Sequence, residues 1–217
     1  TETVARHWFN GDPWTTQWMN AILSAVPDGE RWVMNSARAQ LDNLKDPEVR
    51  QAAINFCRQE RIHAREHDEM NAACVAQGVP IDKVEAVFTK IRTVMQGRLS
   101  LDMQSSIAAA FEHFTAVISS AMLENPDLFD KTDPELRAML FWHFVEETEH
   151  KGVSFDVFVA ASGGGIKGYV KRVGGMALAT AIGLPIMLGN QGYLLYKDRQ
   201  LTNWRSAIRM ADILLGN

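Results

Sequence analysis

Two Glu-x-x-His motifs constrain this chain more than any other feature: Glu60-Arg61-Ile62-His63 and Glu147-Thr148-Glu149-His150. Residues three apart lie on the same face of an α-helix, so each motif can direct one carboxylate and one imidazole into the same space. Two such helices in a bundle, with one more Glu from each of two further helices, supply the ligands of a carboxylate-bridged dimetal centre. The motifs therefore predict a helical bundle with two metal ions in its core.

The rest of the sequence agrees with an all-α fold, because it has no run of alternating β-branched and polar residues between tight turns. Asp-Pro pairs at Asp12, Asp46 and Asp133 mark helix starts, with Asp as the cap and Pro in the first turn. We expect Pro27-Asp28-Gly29 to break the chain between the first two helices. The predicted helices cover about 13–25, 30–44, 47–77, 80–98, 102–124 and 134–161.

This order predicts a ferritin-like four-helix bundle with a crossover helix and extra N- and C-terminal helices. We divide the chain into residues 1–162, the dimetal bundle, and residues 163–217, an apolar helical extension that packs on the bundle or contacts a membrane. Gly163-Gly164-Gly165 would form the hinge between the two parts.

Two further glutamates, Glu30 and Glu112, stand in the order that the bundle requires. Glu112 lies among small and aromatic residues, where an unpaired charge is costly to bury, so we interpret it as a ligand. Glu30 falls in the first turn of its predicted helix. The helix dipole alone would favour an acid there, so a ligand and a dipole role both remain open for Glu30.

The stripe of His143, Glu147 and His150 gives the second motif a third candidate donor. Glu146 could pair with His150 at the i, i+4 spacing, but we prefer Glu147 because it lies on that stripe. His143 would be a third imidazole on one ion or a buried histidine that donates to a carbonyl. In our assignment Glu30, Glu60 and His63 hold one ion, Glu147 and His150 with or without His143 hold the other, and Glu112 bridges or completes a shell.

Residues next to these ligands are candidates for orienting them. His67 lies one turn after His63, and Glu146 precedes Glu147. His113 points about 100° away from Glu112, and we expect it in the core or beside a ligand.

The ligand spacing resembles that of ferritin-like di-iron enzymes of the 4-aminobenzoate N-oxygenase type. The matching residues are Glu30, Glu60-x-x-His63, Glu112 and His143-x-x-x-Glu147-x-x-His150. In that family the histidine four before the last glutamate is also a ligand, which implies the same role for His143.

Short sequence segments over most of the chain are similar to those of a bacterial family of predicted metal-dependent hydrolases. Its hallmarks are 6–13, Gln59-Glu60-x-x-His63-x-x-x-His67, 112–115 and Glu146-Glu147-x-Glu149-His150-Lys151. This resemblance implies metal-dependent hydrolysis as an alternative activity.

Oxygen and nitrogen donors suit iron in oxygen chemistry, so our first interpretation is a non-haem di-iron oxygenase with two Fe ions, with Mn or a mixed Mn/Fe pair as variants. Its partners would be dioxygen, an electron donor and a small, hydrophobic organic substrate. The alternatives are a two-metal hydrolase, in which the ions would lower the pKa of a bridging water, and a ferroxidase or iron-binding protein.

The formal net charge of −4 argues against a nucleic-acid partner. Cys57 and Cys74 lie on one predicted helix about 25 Å apart and cannot bridge each other, which agrees with a reducing, cytoplasmic location.

Residues 173–196 contain no charged side chain, while Lys and Arg flank them on both sides. The length would allow a membrane span, but the glycines and Pro185 make it a poor simple one. Three interpretations stay open: a buried helix that covers the bundle, a peripheral membrane contact and a homodimer interface.

Overall fold

The computed structural model describes residues 5–215, and this part of the chain is all-α, as predicted. Two short 3₁₀ helices, Leu41–Asn43 and Pro126–Phe129, accompany the α-helices. The α-helices are α1 (Pro13–Leu23), α2 (Val26–Gln40), α3 (Pro47–Ala76), α4 (Ile81–Arg98), α5 (Leu101–Glu124), α6 (Pro134–Ser162), α7 (Gly165–Lys197) and α8 (Trp204–Leu215).

The predicted helix starts at the three Asp-Pro pairs are confirmed. The carboxylates of Asp12, Asp46 and Asp133 accept hydrogen bonds from backbone N–H groups in the first turns of α1, α3 and α6. Gly78 follows α3 with a φ of 76°, a left-handed conformation that glycine adopts without steric cost.

The predicted break at Pro27-Asp28-Gly29 is wrong, because these residues lie inside α2. The chain turns earlier, at Ser24 and Ala25, and α2 starts at Val26. Proline fits the first turn of a helix, where its missing N–H has no intrahelical partner, so Pro27 begins α2 instead of ending α1. Glu30 is consequently the fifth residue of α2 and lies beyond its first turn.

Four long helices enclose the core. α2 packs against α3 and α5, and α6 packs against α5 and α3. α4 connects α3 to α5 and lies against α3 and α2, in the place of the predicted crossover helix. Trp32, Phe56, Ile107 and Val157, one from each bundle helix, are among the residues that fill the apolar core.

Residues 165–197 form a single helix in spite of their glycines and Pro185. α7 packs against α5 and α1, and it comes close to α5 at Gly175, where a Cβ atom would stand 2.0 Å from Ser106 Oγ. Ser106 Oγ also donates to the Lys171 carbonyl at 2.8 Å. A small residue is therefore required at position 175 for the two helices to meet.

By length and composition, α5 and α7 could each span a membrane. Half of the apolar stretch in α5 is buried inside the protein, whereas only 17% of that in α7 is buried. α7 thus covers the bundle with one face and leaves the other exposed.

Candidate metal centre

Seven acidic and imidazole side chains from the four bundle helices meet in the interior, each no more than 5% exposed. α2 and α5 contribute one glutamate each, α3 contributes its Glu-x-x-His pair, and α6 contributes its pair and one more histidine. The residues are Glu30, Glu60, His63, Glu112, His143, Glu147 and His150.

Glu147 lies at the centre of this cluster. Its Oε1 is 3.0 Å from Nε2 of His143 and 3.4 Å from Nδ1 of both His63 and His150. Three imidazoles therefore surround one carboxylate oxygen of Glu147.

Two groups of possible ligand atoms share His63 and Glu147. Glu30, His63, His143 and Glu147 each offer a donor atom, and these atoms all lie within 4.8 Å of one another. The same holds for Glu60, His63, Glu147 and His150. Glu112 joins the second group from α5, with its Oε2 3.9 Å from Nδ1 of His150. The two groups therefore form one continuous cluster of possible metal ligands.

Many buried donor and acceptor atoms of the cluster have no hydrogen-bond partner in the described structure. They include both carboxylate oxygens of Glu30, Oε2 of Glu112 and Nε2 of His150. Buried polar atoms are almost always hydrogen-bonded in native proteins, and unpaired ones indicate an ion, a water or a functional role. Oxygen and nitrogen atoms that converge in this way fit divalent cations of the iron, manganese and zinc group.

Burial and neighbouring charges shift the pKa values of the side chains in the cluster. Burial, followed by the nearby charges of Glu60 and Glu147, holds the pKa of Glu30 well above its ordinary value, and the same causes act on Glu112. Burial also acts to raise the pKa of Glu147, but hydrogen bonds with three histidines hold it well below its ordinary value. Burial opposes protonation of His150, yet hydrogen bonds with Glu147 and Glu60 raise its pKa to about 10. Cations would replace these protons as the counter-charge of the carboxylates.

Comparison with known families agrees with this chemistry. A family model described as "Predicted metal-dependent hydrolase" matches residues 1–217. The chain belongs to this family. No curated protein and no solved structure matches it at a significant level.

In this member of the predicted metal-dependent hydrolases, two outer residues orient the cluster histidines. Glu146 Oε2 is 2.7 Å from Nε2 of His63, so Nδ1 of that ring faces the cluster. His67, which is fully buried, hydrogen-bonds through Nε2 to Nδ1 of His143 and leaves His143 Nε2 facing Glu147. Such partners fix the ring nitrogen that is presented to a metal.

The sequence left open whether His143 joins the same ion as His150, and the geometry does not favour that option. His143 stacks on His63 with ring centroids 4.4 Å apart, and its Nε2 is 4.0 Å from Glu30 Oε1. It therefore belongs with Glu30 and His63. Since His143 and His150 are seven residues apart on one helix, they lie about 10 Å apart along its axis and reach opposite ends of the cluster.

Two other expectations change. His113 is exposed, so its predicted place in the core or beside a ligand is wrong. Its rotation of about 100° from Glu112 carries it out of the bundle. Glu30 is buried beyond the first turn of α2, and the pKa of its carboxyl is raised by burial, whereas a helix dipole would lower it. The dipole interpretation of Glu30 therefore loses its support.

Sequence reasoning did not find Trp142, whose ring meets that of His63 edge to face at 5.0 Å. Trp142 is 36% exposed and the Glu146 side chain 26% exposed, so these two residues separate His63 from solvent. The available signal was their spacing, because Trp142 and Glu146 are one helical turn apart beside the ligand stripe.

Proposed function

We propose that this protein is a two-metal hydrolase that acts on a small organic substrate. The observation that carries the proposal is the pair of overlapping, buried ligand groups that share Glu147. Membership of the predicted metal-dependent hydrolases favours hydrolysis over the dioxygen chemistry that we expected first from the sequence.

In the proposed assignment each ion has four protein ligands and Glu147 bridges them. His63 has only Nδ1 to offer, since its Nε2 meets Glu146, so it binds a single ion. One ion would be held by Glu30, His63, His143 and Glu147, and the other by Glu60, Glu112, Glu147 and His150.

Two bound divalent cations would supply Lewis acidity and a water of lowered pKa for attack on an ester, amide or phosphoester. The protein would contribute the positions of the donors. Glu146 and His67 keep the rings of His63 and His143 turned inward. The apolar surroundings, including Phe56 with its ring 5.1 Å from that of His150, strengthen electrostatic interactions inside the site.

Burial limits the size of the substrate. All seven proposed ligands are nearly inaccessible, and Trp142 with Glu146 lies between His63 and the surface. A folded protein or a duplex nucleic acid could not bring its backbone to such a site without opening the bundle. The substrate of such a site would therefore be small.

The first experiment measures metal content and hydrolysis together. The protein is purified from cells fed separately with iron, manganese and zinc, and bound metal is counted per chain. We expect two ions per chain and metal-dependent cleavage within a panel of ester, amide and phosphoester substrates. One ion or none per chain would contradict the dinuclear site. Two ions per chain without cleavage of any substrate would support the dinuclear site and contradict hydrolysis.

The second candidate is a di-iron oxidase or oxygenase. The observation that favours it is the donor set itself: four glutamates and three histidines on four helices, with no thiolate in either ligand group. This activity would need an electron donor and a hydrophobic substrate. Oxygen consumption by the iron-loaded protein with a chemical reductant, above that of a Glu147→Ala variant, would favour this candidate over hydrolysis.

A further inference from the structure

A long apolar stripe lies open on the outer face of α7. Every residue in it is exposed, including Ile166 at 84% and Leu188 at 57%. The stripe consists of Ile166, Val170, Val173, Ala177, Ala181, Leu184 and Leu188. Their spacing of three, four and seven follows one helix face over about 33 Å. A continuous exposed apolar surface of this length marks an interaction site.

The charges around the stripe have one sign. Residues 165–197 include no Asp or Glu, whereas Lys167, Lys171 and Arg172 lie at the start of the helix and Lys197 at its end. Lys171 pairs with Asp102 of α5. Arg172 lies 5.3 Å from the ring centroid of Phe155 and 5.4 Å from that of Tyr169, and has no carboxylate partner in the described residues. Exposed Lys167 and Lys197 therefore flank the stripe along the helix, and α7 carries no acid to neutralise them.

We propose that the α7 stripe docks this protein on the surface of a membrane that contains anionic lipids. Apolar side chains would enter the boundary between head groups and acyl chains, and the flanking Lys and Arg side chains would reach the lipid phosphates. Tyr169 and Tyr196, 59% and 63% exposed, are suited to the same boundary because each ring has an apolar body and a polar tip.

Charge complementarity selects a membrane over a second copy of this chain. If two α7 helices packed against each other through their stripes, the cations of both would be brought together without an acid on either helix. Uncompensated charges at the edge of an apolar contact oppose association. An anionic lipid surface supplies the missing negative charge and attracts each nearby Lys or Arg by about 1 kcal/mol.

The contacts on the opposite face of α7 indicate a peripheral orientation. That face is fixed to α5 through Gly175 and Ser106, and α5 carries Glu112 into the bundle. A spanning orientation would draw α5 and the charged surface of α6, with exposed Lys151 and Asp156, into the hydrocarbon. The stripe, in contrast, can enter lipid while the bundle stays intact.

The test is flotation of the full chain with vesicles of phosphatidylcholine alone and of phosphatidylcholine mixed with phosphatidylglycerol. We expect binding to the mixed vesicles, weakened at high salt, and much weaker binding to neutral ones. Leu184→Glu should lower binding to mixed vesicles at least tenfold. Lys167→Gln should lower it about fivefold, the equivalent of one surface cation.

The matched control is Val94→Glu, which places the same charge on an exposed apolar position of α4 and should leave flotation unchanged. Leu184 is itself 53% exposed, so the variant should keep the wild-type thermal unfolding curve. Absence of flotation, or equal flotation of wild type and Leu184→Glu, would overturn the proposal. So would a dimer in analytical ultracentrifugation that Leu184→Glu dissociates while neither protein binds vesicles. These readouts do not depend on the metal site or on its chemistry.

Discussion

Polar side chains usually lie at the surface of a protein and apolar ones in its interior, and two regions of this protein reverse that distribution. They are the interior of the bundle and the outer face of α7. Inside, Glu30, Glu60, Glu112 and Glu147 are buried with few hydrogen-bond partners. Outside, an apolar stripe of about 33 Å is left in solvent. Ordinary packing explains neither, because buried charges and large exposed apolar patches are both costly.

The difference shows what each region lacks for full stability. The interior has an excess of electron-pair donors, and cations would satisfy them. The α7 face has an excess of apolar surface bordered by positive charge, and an anionic lipid surface would satisfy it. Each region is therefore best tested by substituting one of its residues and comparing the result with the same substitution at a control residue in an ordinary environment.

The largest expected effect is that of Glu147→Ala, which removes the carboxylate that faces His63, His143 and His150. We expect metal affinity to fall by more than the ~10–100-fold typical of an outer-shell partner, with fewer than two ions retained per chain. Bound metal after equilibrium dialysis measures it. Glu149→Ala, an exposed glutamate on the same helix, is the control and should keep both ions. Full retention of two ions by the Glu147 variant would remove this residue from the site.

Truncation of two leucines should separate the packed interior from the open stripe. Leu140 of α6 is fully buried, whereas Leu184 of α7 is 53% exposed. We expect Leu140→Ala to lower the free energy of unfolding by about 2–5 kcal/mol and Leu184→Ala by no more than about 0.5 kcal/mol, measured by urea denaturation. A loss of similar size at both positions would show that the stripe is covered in solution.

Glu146→Gln should have an intermediate effect on the metal centre. The side chain keeps its size but loses the charge that holds Nε2 of His63, so the ring is less firmly oriented. We expect about tenfold weaker metal binding with two ions still bound at saturation, measured by competition with a chelating dye. Glu149→Gln on the same helix is the control. An unchanged affinity would mean that packing, including Trp142, orients His63 alone.

The smallest effect concerns Asp198, which follows α7 and pairs with Arg6 and His7 at 2.7 Å. Burial acts to raise the pKa of Asp198, but hydrogen bonds with Arg6, His7 and Gln17 hold it below the ordinary 3.8. A carboxyl whose pKa is lower in the folded chain stabilises it above pH 3.8 and loses this contribution as the pH falls through the folded value. Asp198→Asn should therefore cost up to about 1 kcal/mol at neutral pH.

Unfolding of both proteins across pH tests this expectation. The difference between wild type and Asp198→Asn should shrink as the pH falls below about 4 and through the folded pKa of Asp198, because the carboxylate is progressively protonated and loses its charge. A difference that is constant with pH would assign the effect to lost packing.

Local signals predicted most helices well. Asp-Pro pairs predicted the starts of α3 and α6, and Gly78 predicted the end of α3, because capping depends on a few neighbouring residues. The start of α2 was wrong because Pro27 is compatible with either a break or a first helical turn, and sequence reading chose the break.

The candidate site was predictable where helical spacing alone decides geometry. Glu60 with His63 and Glu147 with His150 share a face in any α-helix. The partner of His143 was not predictable, since its position relative to Glu30 depends on how α6 meets α2. Glu146 was already a candidate from its place before Glu147, but its contact with His63, and that of Trp142, depend on how α3 meets α6.

The sequence by itself determined the helices, the faces that carry Glu and His, and the charge pattern of residues 165–197, because each follows from neighbours along one chain segment. Only the tertiary structure decided which imidazole meets which carboxylate and which face of α7 stays open. Those outcomes depend on distances between helices far apart in sequence, and such distances are set by packing contacts like that of Gly175 with Ser106.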